Sequence, residues 1–283
     1  MQSSRKLLAA FLAPAALLYT VFLLTPVSFF LAFGVMRYDA IDLFQPVLTL
    51  ANFGRIVLDP FYRSIILLTL KIAALTTVFA LLVGYPVAYV LARGQSAWRG
   101  VLMFLVVAPL MTGEIVRTYG WIVMLGSEGL VNRFLIALHI IHTPLQLLNT
   151  QTAVVVALVH ILLPFMIFPL ISALASQDAD LVKAADTLGA GRLRAFIEVT
   201  LPLSRTGIMI GSLLVFTLSA GAVVTPALLG GKAVQMLGQT IYDLVLHTLN
   251  WPLASACASI LLVLQLCFVT IQIRANRRAP RPG

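Results

Sequence analysis

The sequence predicts an all-α polytopic membrane protein, a single transmembrane domain over residues 1–283 with six membrane-crossing helices and one structured loop. Three observations carry that prediction. Sixty per cent of the 283 residues are apolar, 10% are charged and the mean hydropathy is +1.01, which leaves too little polar surface for a soluble domain. Residues 7–33, 206–231 and 244–273 contain no Asp, Glu, Lys or Arg, and each exceeds the roughly 20 residues a helix needs to cross about 30 Å of hydrocarbon. The basic residues, finally, are unevenly shared between alternate connections.

A bilayer offers backbone amides no water, so a spanning segment must be a helix or part of a closed barrel. Barrel strands are short and alternate in polarity, whereas these runs are long and continuously apolar. Spans are expected over 7–33, 63–92, 100–125, 151–175, 205–230 and 252–273. The first follows Arg5 and Lys6 and so has the layout of a secretory signal. It is too long for that apolar core and lacks a cleavage site followed by a soluble chain, so it is read as a retained span. Pro86, Pro109 and Pro164 are expected to give ordinary kinks.

Six spans place both termini on one side. That side would carry the N-terminus, residues 93–99 and 176–205, and the tail from Arg274, with 12 of the 19 basic residues. The opposite connections hold only Arg37, Arg55, Arg63, Arg133 and Lys232. The positive-inside rule therefore puts both termini in the cytoplasm. Topology and anionic headgroups account for the net charge of +9, so no nucleic-acid partner is implied.

Residue types with possible chemistry are few. Cys257 and Cys267 lie ten residues apart in one span, about 15 Å of helical rise, and cannot pair; they read as apolar fillers. His160 reads as a hydrogen-bonded packing residue, because no carboxylate or histidine partners form a relay with it. Lys71, Glu114 and Arg117 are charges inside spans, where charge tends to face the protein interior. Glu114 and Arg117, at i and i+3, can form an ion pair on one helix face. They either line a path or make a structural pair at the interface. Tyr119 and Trp121 follow on the same span, and Asp243 offers a further carboxylate. Thr225-Pro226 and Gly230-Gly231 stand near the outer end of the fifth span. Proline removes a donor and glycine permits unusual dihedrals, so a break facing a cavity competes there with a plain helix end.

The connection 176–205 has internal order. Ser176 or Asp178 can cap a helix, and Leu181, Ala184, Ala185 and Leu188 follow at helical spacing. Gly189 stands where a left-handed C-cap belongs. A second helix can run from Arg192 to Val199 with Leu193, Phe196 and Ile197 on one side, and Pro202 suits the first turn of the next span. Physics alone leaves two readings: an amphipathic element on the headgroups, or a docking surface for a cytoplasmic partner.

Ala184-Ala185, Gly189 and, after nine intervening residues, Val199-Thr200-Leu201-Pro202 resemble the EAA loop of bacterial ABC importer permeases. Further resemblance, to the spermidine/putrescine B-type branch of that type I family, lies in Leu70-Lys71-Ile72-Ala73, Gly84-Tyr85-Pro86, Arg117-Thr118-Tyr119 with Trp121, and Pro144-Leu145-Gln146-Leu147-Leu148. Leu163-Pro164-Phe165-Met166, Thr225-Pro226-Ala227-Leu228-Leu229-Gly230-Gly231-Lys232 and Asn250-Trp251-Pro252 extend it over most of the chain. The resemblance implies that 176–205 is a coupling-helix loop seated on an ATPase subunit through Lys183, Ala184, Ala185, Asp186, Leu188, Gly189, Phe196, Leu201 and Pro202. Lys183 departs from the family's glutamate and reverses the local charge. The candidate substrate path or gate comprises Glu114, Arg117, Tyr119, Trp121, Thr225, Pro226 and Asp243.

No GxxxxGK[ST] phosphate loop occurs in the chain, so energy must come from elsewhere. The resemblance implies a non-catalytic, cofactor-free permease in the inner membrane. Its partners would be two copies of an ATPase that uses ATP and Mg, a second homologous permease and a periplasmic solute-binding protein. It further implies alternating access for a small organic solute, with a polyamine leading and other organic solutes or iron(III) as alternatives. A stand-alone secondary transporter would need inverted repeats and midplane acidic sites. Neither is evident, and there is no catalytic constellation for a membrane enzyme.

Overall fold

The computed structural model describes residues 13–14, 17–39, 41–94, 98–178, 180–181, 187, 189 and 191–277. These form two compact units, one of Met1–Arg63 with Thr240–Val263 and one of Ser64–Gln239 with Leu264–Gly283.

In the first unit, α1 (Leu17–Val35) is a span-length apolar helix, and among its described residues only Phe33 and Gly34 are buried. It ends in a feature the all-α expectation lacked, an antiparallel hairpin of β1 (Met36–Asp39) and β2 (Leu43–Leu48). Asp39 makes the turn. Its carboxylate accepts the amides of Asp42 and Ile41 at 3.1 and 2.8 Å, and these bonds hold its carboxyl below the usual carboxylate range. Asn52, in α2 (Ala51–Leu58), donates to the carbonyls of Gly34 and Met36 at 3.0 and 2.8 Å and ties the hairpin down.

The second unit holds most of α3 (Pro60–Arg93). Its 34 residues give about 50 Å of helix, more than the hydrocarbon needs. The expected third span is broken instead of straight: α4 (Arg99–Met111) and the following Glu114–Ala137 stretch meet at 106°. The Glu114–Ala137 stretch comprises α5 (Glu114–Leu125) and α6 (Leu130–Ala137). Pro109 opens a tight 3₁₀ turn, Ala108–Met111, and Thr112 and Gly113 are extended. Pro109 thus marks a corner where an ordinary kink was expected. α7 (Gln151–Ala175), capped by the Thr150 hydroxyl on the Ala153 amide at 3.2 Å, matches its predicted bounds.

The second helix expected within 176–205 is present as α8 (Leu193–Leu203), and it meets α9 (Arg205–Ala220), the start of the fifth expected span, at a 63° bend at Ser204. α9 packs along α7 so closely that a side chain at either of two of its glycines would run into α7. A Cβ on Gly207 would lie 2.7 Å from both the Ala173 Cβ and the Pro169 carbonyl, and one on Gly211 would lie 2.7 Å from the Met166 sulfur. At i and i+4 these two form a GxxxG face, the spacing that lets helix backbones approach within a membrane.

After Gly221 the chain turns and rises through a π-helical turn, Pro226–Gly230, before α10 (Leu237–Leu246) and α11 (Trp251–Arg277). Gly231 sits at φ +53°, ψ −143°, and a Cβ there would lie 2.6 Å from the Asn149 Oδ1. Gly231→Ala is therefore expected to lower stability by about 2 kcal/mol, read as a fall in thermal midpoint. Among the described residues, four helices are long and apolar enough to cross a membrane, and each bent pair counts as one more if it forms a single broken span.

Candidate functional site

The corner at Thr112–Gly113 places Glu114 at the first position of α5, where a carboxylate meets the positive end of the helix dipole. Opposite it the chain has just left α9 and enters the Pro226–Gly230 turn, which presents Thr225. The Thr225 hydroxyl donates to the Glu114 Oε1 at 3.2 Å. It also lies 3.3 Å from the hydroxyl of Thr118, which bonds the Glu114 carbonyl at 2.9 Å. Thr118 and Thr225 are fully buried, while Glu114 is exposed. The result is an exposed Glu114 whose carboxylate is held by the buried Thr225 hydroxyl and whose backbone carbonyl is held by the buried Thr118 hydroxyl.

The expected Glu114–Arg117 ion pair is not formed. Glu114 reaches across to Thr225 instead of along its own helix. Arg117 turns inward, and its Nε and one Nη are buried without a hydrogen-bond partner. The guanidinium lies within electrostatic reach of His160. His160 accepts from the Trp121 Nε1 at 3.3 Å, with the rings edge to face, as expected of a packing histidine. Lys71 donates to Gln151 at 2.9 Å.

Glu114, Thr225 and the buried Pro226 therefore share one neighbourhood, with Arg117 on the same turn of α5 as Thr118. Tyr119 is 56% exposed and takes no part in the hydroxyl network. Asp243 belongs to the other unit, where it pairs with His247 at 3.2 Å. The helix break expected at Thr225-Pro226 comes earlier, at Gly221–Val223. Thr118 was missed as a site residue. Its spacing of four from Glu114 was visible, but the partner that gives it meaning lies more than a hundred residues away.

Within 176–205, the positions Lys183, Ala184, Ala185, Asp186 and Leu188 lie outside the described residues. Gly189 has φ +82°, the left-handed value read from the sequence. Asp178, not Ser176, caps the turn, accepting the Asp180 amide at 3.0 Å, while the Ser176 hydroxyl bonds back to Ala173. Phe196 does not share a face with Leu193 and Ile197. It packs edge-on between Tyr85 and Tyr89 of α3, with centroids at 5.6 and 5.9 Å. Leu193 and Ile197, one helical turn apart, point outward at 73% and 52% exposure. They line a shallow groove of about 650 Å³ with Gly191 and the Arg194–Glu198 ion pair. Leu201 and Pro202 lead to the bend at Ser204.

Residues 8–279 match the family described as binding-protein-dependent transport system inner membrane component. The chain is 36% identical over 256 residues to the spermidine/putrescine transport system permease protein PotB of Haemophilus influenzae, covering 90% of this chain and 89% of that protein. It is 34% identical over 257 residues to PotB of Escherichia coli K12, covering 91% and 93% respectively. Its fold is similar to a chain of a bacterial alginate ABC transporter solved in complex with an alginate pentasaccharide-bound periplasmic protein. There the TM-score is 0.75 at 19% identity, over 98% of this chain and 96% of that one. The apolar helices, the broken spans and a match running nearly end to end identify this multi-pass membrane chain as a member of the binding-protein-dependent transport system inner membrane component family, the permease subunits of ABC importers.

Proposed function

We propose that this permease imports a polyamine of the spermidine/putrescine kind. The observation that carries the cargo is the 36% identity, over nine-tenths of the chain, to a permease named for that transport. The site's chemistry agrees. Glu114 offers a fixed carboxylate to an ammonium group, and the unpaired Arg117 guanidinium one turn away opposes tight retention of a multivalent cation. Such a pair passes a cation without trapping it.

The work is supplied by two copies of a cytoplasmic ATPase that bind and hydrolyse ATP with Mg. The chain is joined by a second homologous permease and receives solute from a periplasmic binding protein. The complete topology is six spans with both termini cytoplasmic, supported by the basic-residue count, by the bent pair Arg99–Met111 with Glu114–Ala137 taken as one span, and by α9 as the start of the fifth. The loop 176–205 is then cytoplasmic and seats on the ATPase through its small residues Ala184 and Ala185, with Lys183 facing an acidic residue of the ATPase. ATP-driven closure of the ATPases moves these loops and switches the path between its two openings.

The cargo reading is tested by identifying the ligand carried by the binding protein that co-purifies with the complex. Spermidine or putrescine is expected; iron(III) or an acidic solute in its place would overturn the assignment.

A further inference from the structure

The segment between α7 and α9 is held by one side chain that uses both ends of its amide. Gln177, two residues past α7, accepts a hydrogen bond on Oε1 from an Arg93 Nη at 2.7 Å and donates from Nε2 to the Thr200 carbonyl at 3.2 Å. Arg93 is the last residue of α3, and Thr200 closes the π-helical stretch Phe196–Thr200 within α8. One residue thus joins the end of one span-length helix, the exit of a second and the far side of a loop of some two dozen residues. Only glutamine or asparagine carries both a donor and an acceptor in this form, and only glutamine has this reach.

Two further contacts seat α8 on α3. The Phe196 ring lies between Tyr85 and Tyr89, and the Arg93 guanidinium lies 5.9 Å from the Tyr89 ring centroid. The Tyr85 hydroxyl meets the buried Ser204 hydroxyl at 2.9 Å, at the 63° bend between α8 and α9. The inner face of α8 is therefore fastened at Phe196, Thr200 and Ser204, while its outer face, with Leu193 and Ile197, is free. π-Helical stretches recur at functional positions, and this one sits between the free face and the fastened one.

We infer that Gln177, with Arg93 and Tyr85, makes α8 a rigid lever. A push on its outer face is carried into α3 and α9 together, where a loose α8 would absorb it. These are positioning residues for transport. The inference rests on the reading of 176–205 as the ATPase-facing loop.

The test uses the whole complex of permease, ATPase and binding protein in proteoliposomes. Gln177→Leu removes both arms, Gln177→Glu keeps an acceptor for Arg93 but loses the donor to Thr200, and Tyr85→Phe keeps the ring and loses the Ser204 bond. Uptake per ATP hydrolysed is expected to fall about tenfold in Gln177→Leu, the size of one lost charge-assisted bond. Gln177→Glu and Tyr85→Phe should fall less, with ATP hydrolysis within about twofold of wild type in all three. Unchanged uptake, equal loss of uptake and hydrolysis, or failure of all three variants to assemble would each overturn the lever.

A second readout does not depend on the cargo. Spin labels at Leu193 and Val83, in a background lacking Cys257 and Cys267, should give one narrow distance unchanged by ATP in the wild type and a broadened distance in Gln177→Leu. Equal distributions count against the lever even if the transported solute is not a polyamine. Absence of spermidine uptake by the wild type, with the broadening still present, counts against the cargo alone.

Discussion

Replacing Gly207 with leucine is expected to leave little folded permease in the membrane. The Cβ alone would stand 2.7 Å from the Pro169 carbonyl and the Ala173 Cβ, and 3.1 Å from the Leu170 Cα. Two of those three atoms are backbone, so no rotamer change on α7 relieves the clash, and α9 must move away from α7. Overpacking of this kind costs roughly 3 kcal/mol or more, a large part of the total stability of a typical domain. Thermal unfolding in detergent and the yield of assembled complex measure it. Gly120→Ala is the control: nothing lies within 4 Å of that position, so a neutral or slightly stabilising change is expected. If Gly207→Leu melts as the wild type does, the α7–α9 contact is wrong.

The second large effect is on transport. Glu114→Gln keeps an oxygen acceptor for Thr225 and removes only the charge, so the hydroxyl network and the start of α5 should survive. For a cationic solute the loss is one charge-assisted interaction on the path, and uptake is expected to drop about tenfold. Assembly and ATP hydrolysis stay near wild type. Because Arg117 is already unpaired, removing the carboxylate leaves its positive charge unopposed, which deepens the loss for a polyamine and would not do so for an anion. Unchanged uptake in Glu114→Gln removes Glu114 from the path.

Much of this was legible in the sequence, and the failures share a cause. Apolar continuity reports what lies at membrane depth, and it placed α3, α7 and α11 within a few residues. It does not report whether a helix axis is straight. The run 100–125 was read through, although Pro109, Thr112 and Gly113 together make the corner that sets Glu114 at a helix start. The break near Thr225-Pro226 was anticipated four residues late, because Gly221 ends α9 before proline is reached. The hairpin at 36–48 was hidden by its shortness, its turn resting on the single carboxylate of Asp39. Gly207-Ile208-Met209-Ile210-Gly211 carries the close-packing spacing openly, yet a lone sequence does not say which neighbour the small face meets. Phe196 was placed on one side with Leu193 and Ile197 by counting residues, and the aromatic pair on α3 that draws it away from them is invisible without the fold. The Arg117–Glu114 pair failed for the reason Thr118 was missed: the competing partner, Thr225, is remote in sequence.

The account depends on transport being driven through this chain by a separate ATPase. The most direct measurement is ATP-dependent accumulation of labelled spermidine in proteoliposomes containing this permease, its partner permease and the binding protein, with and without the cognate ATPase. Accumulation against a gradient only when the ATPase and ATP are both present is the predicted result. Accumulation without the ATPase, sustained by an ion gradient, would contradict it.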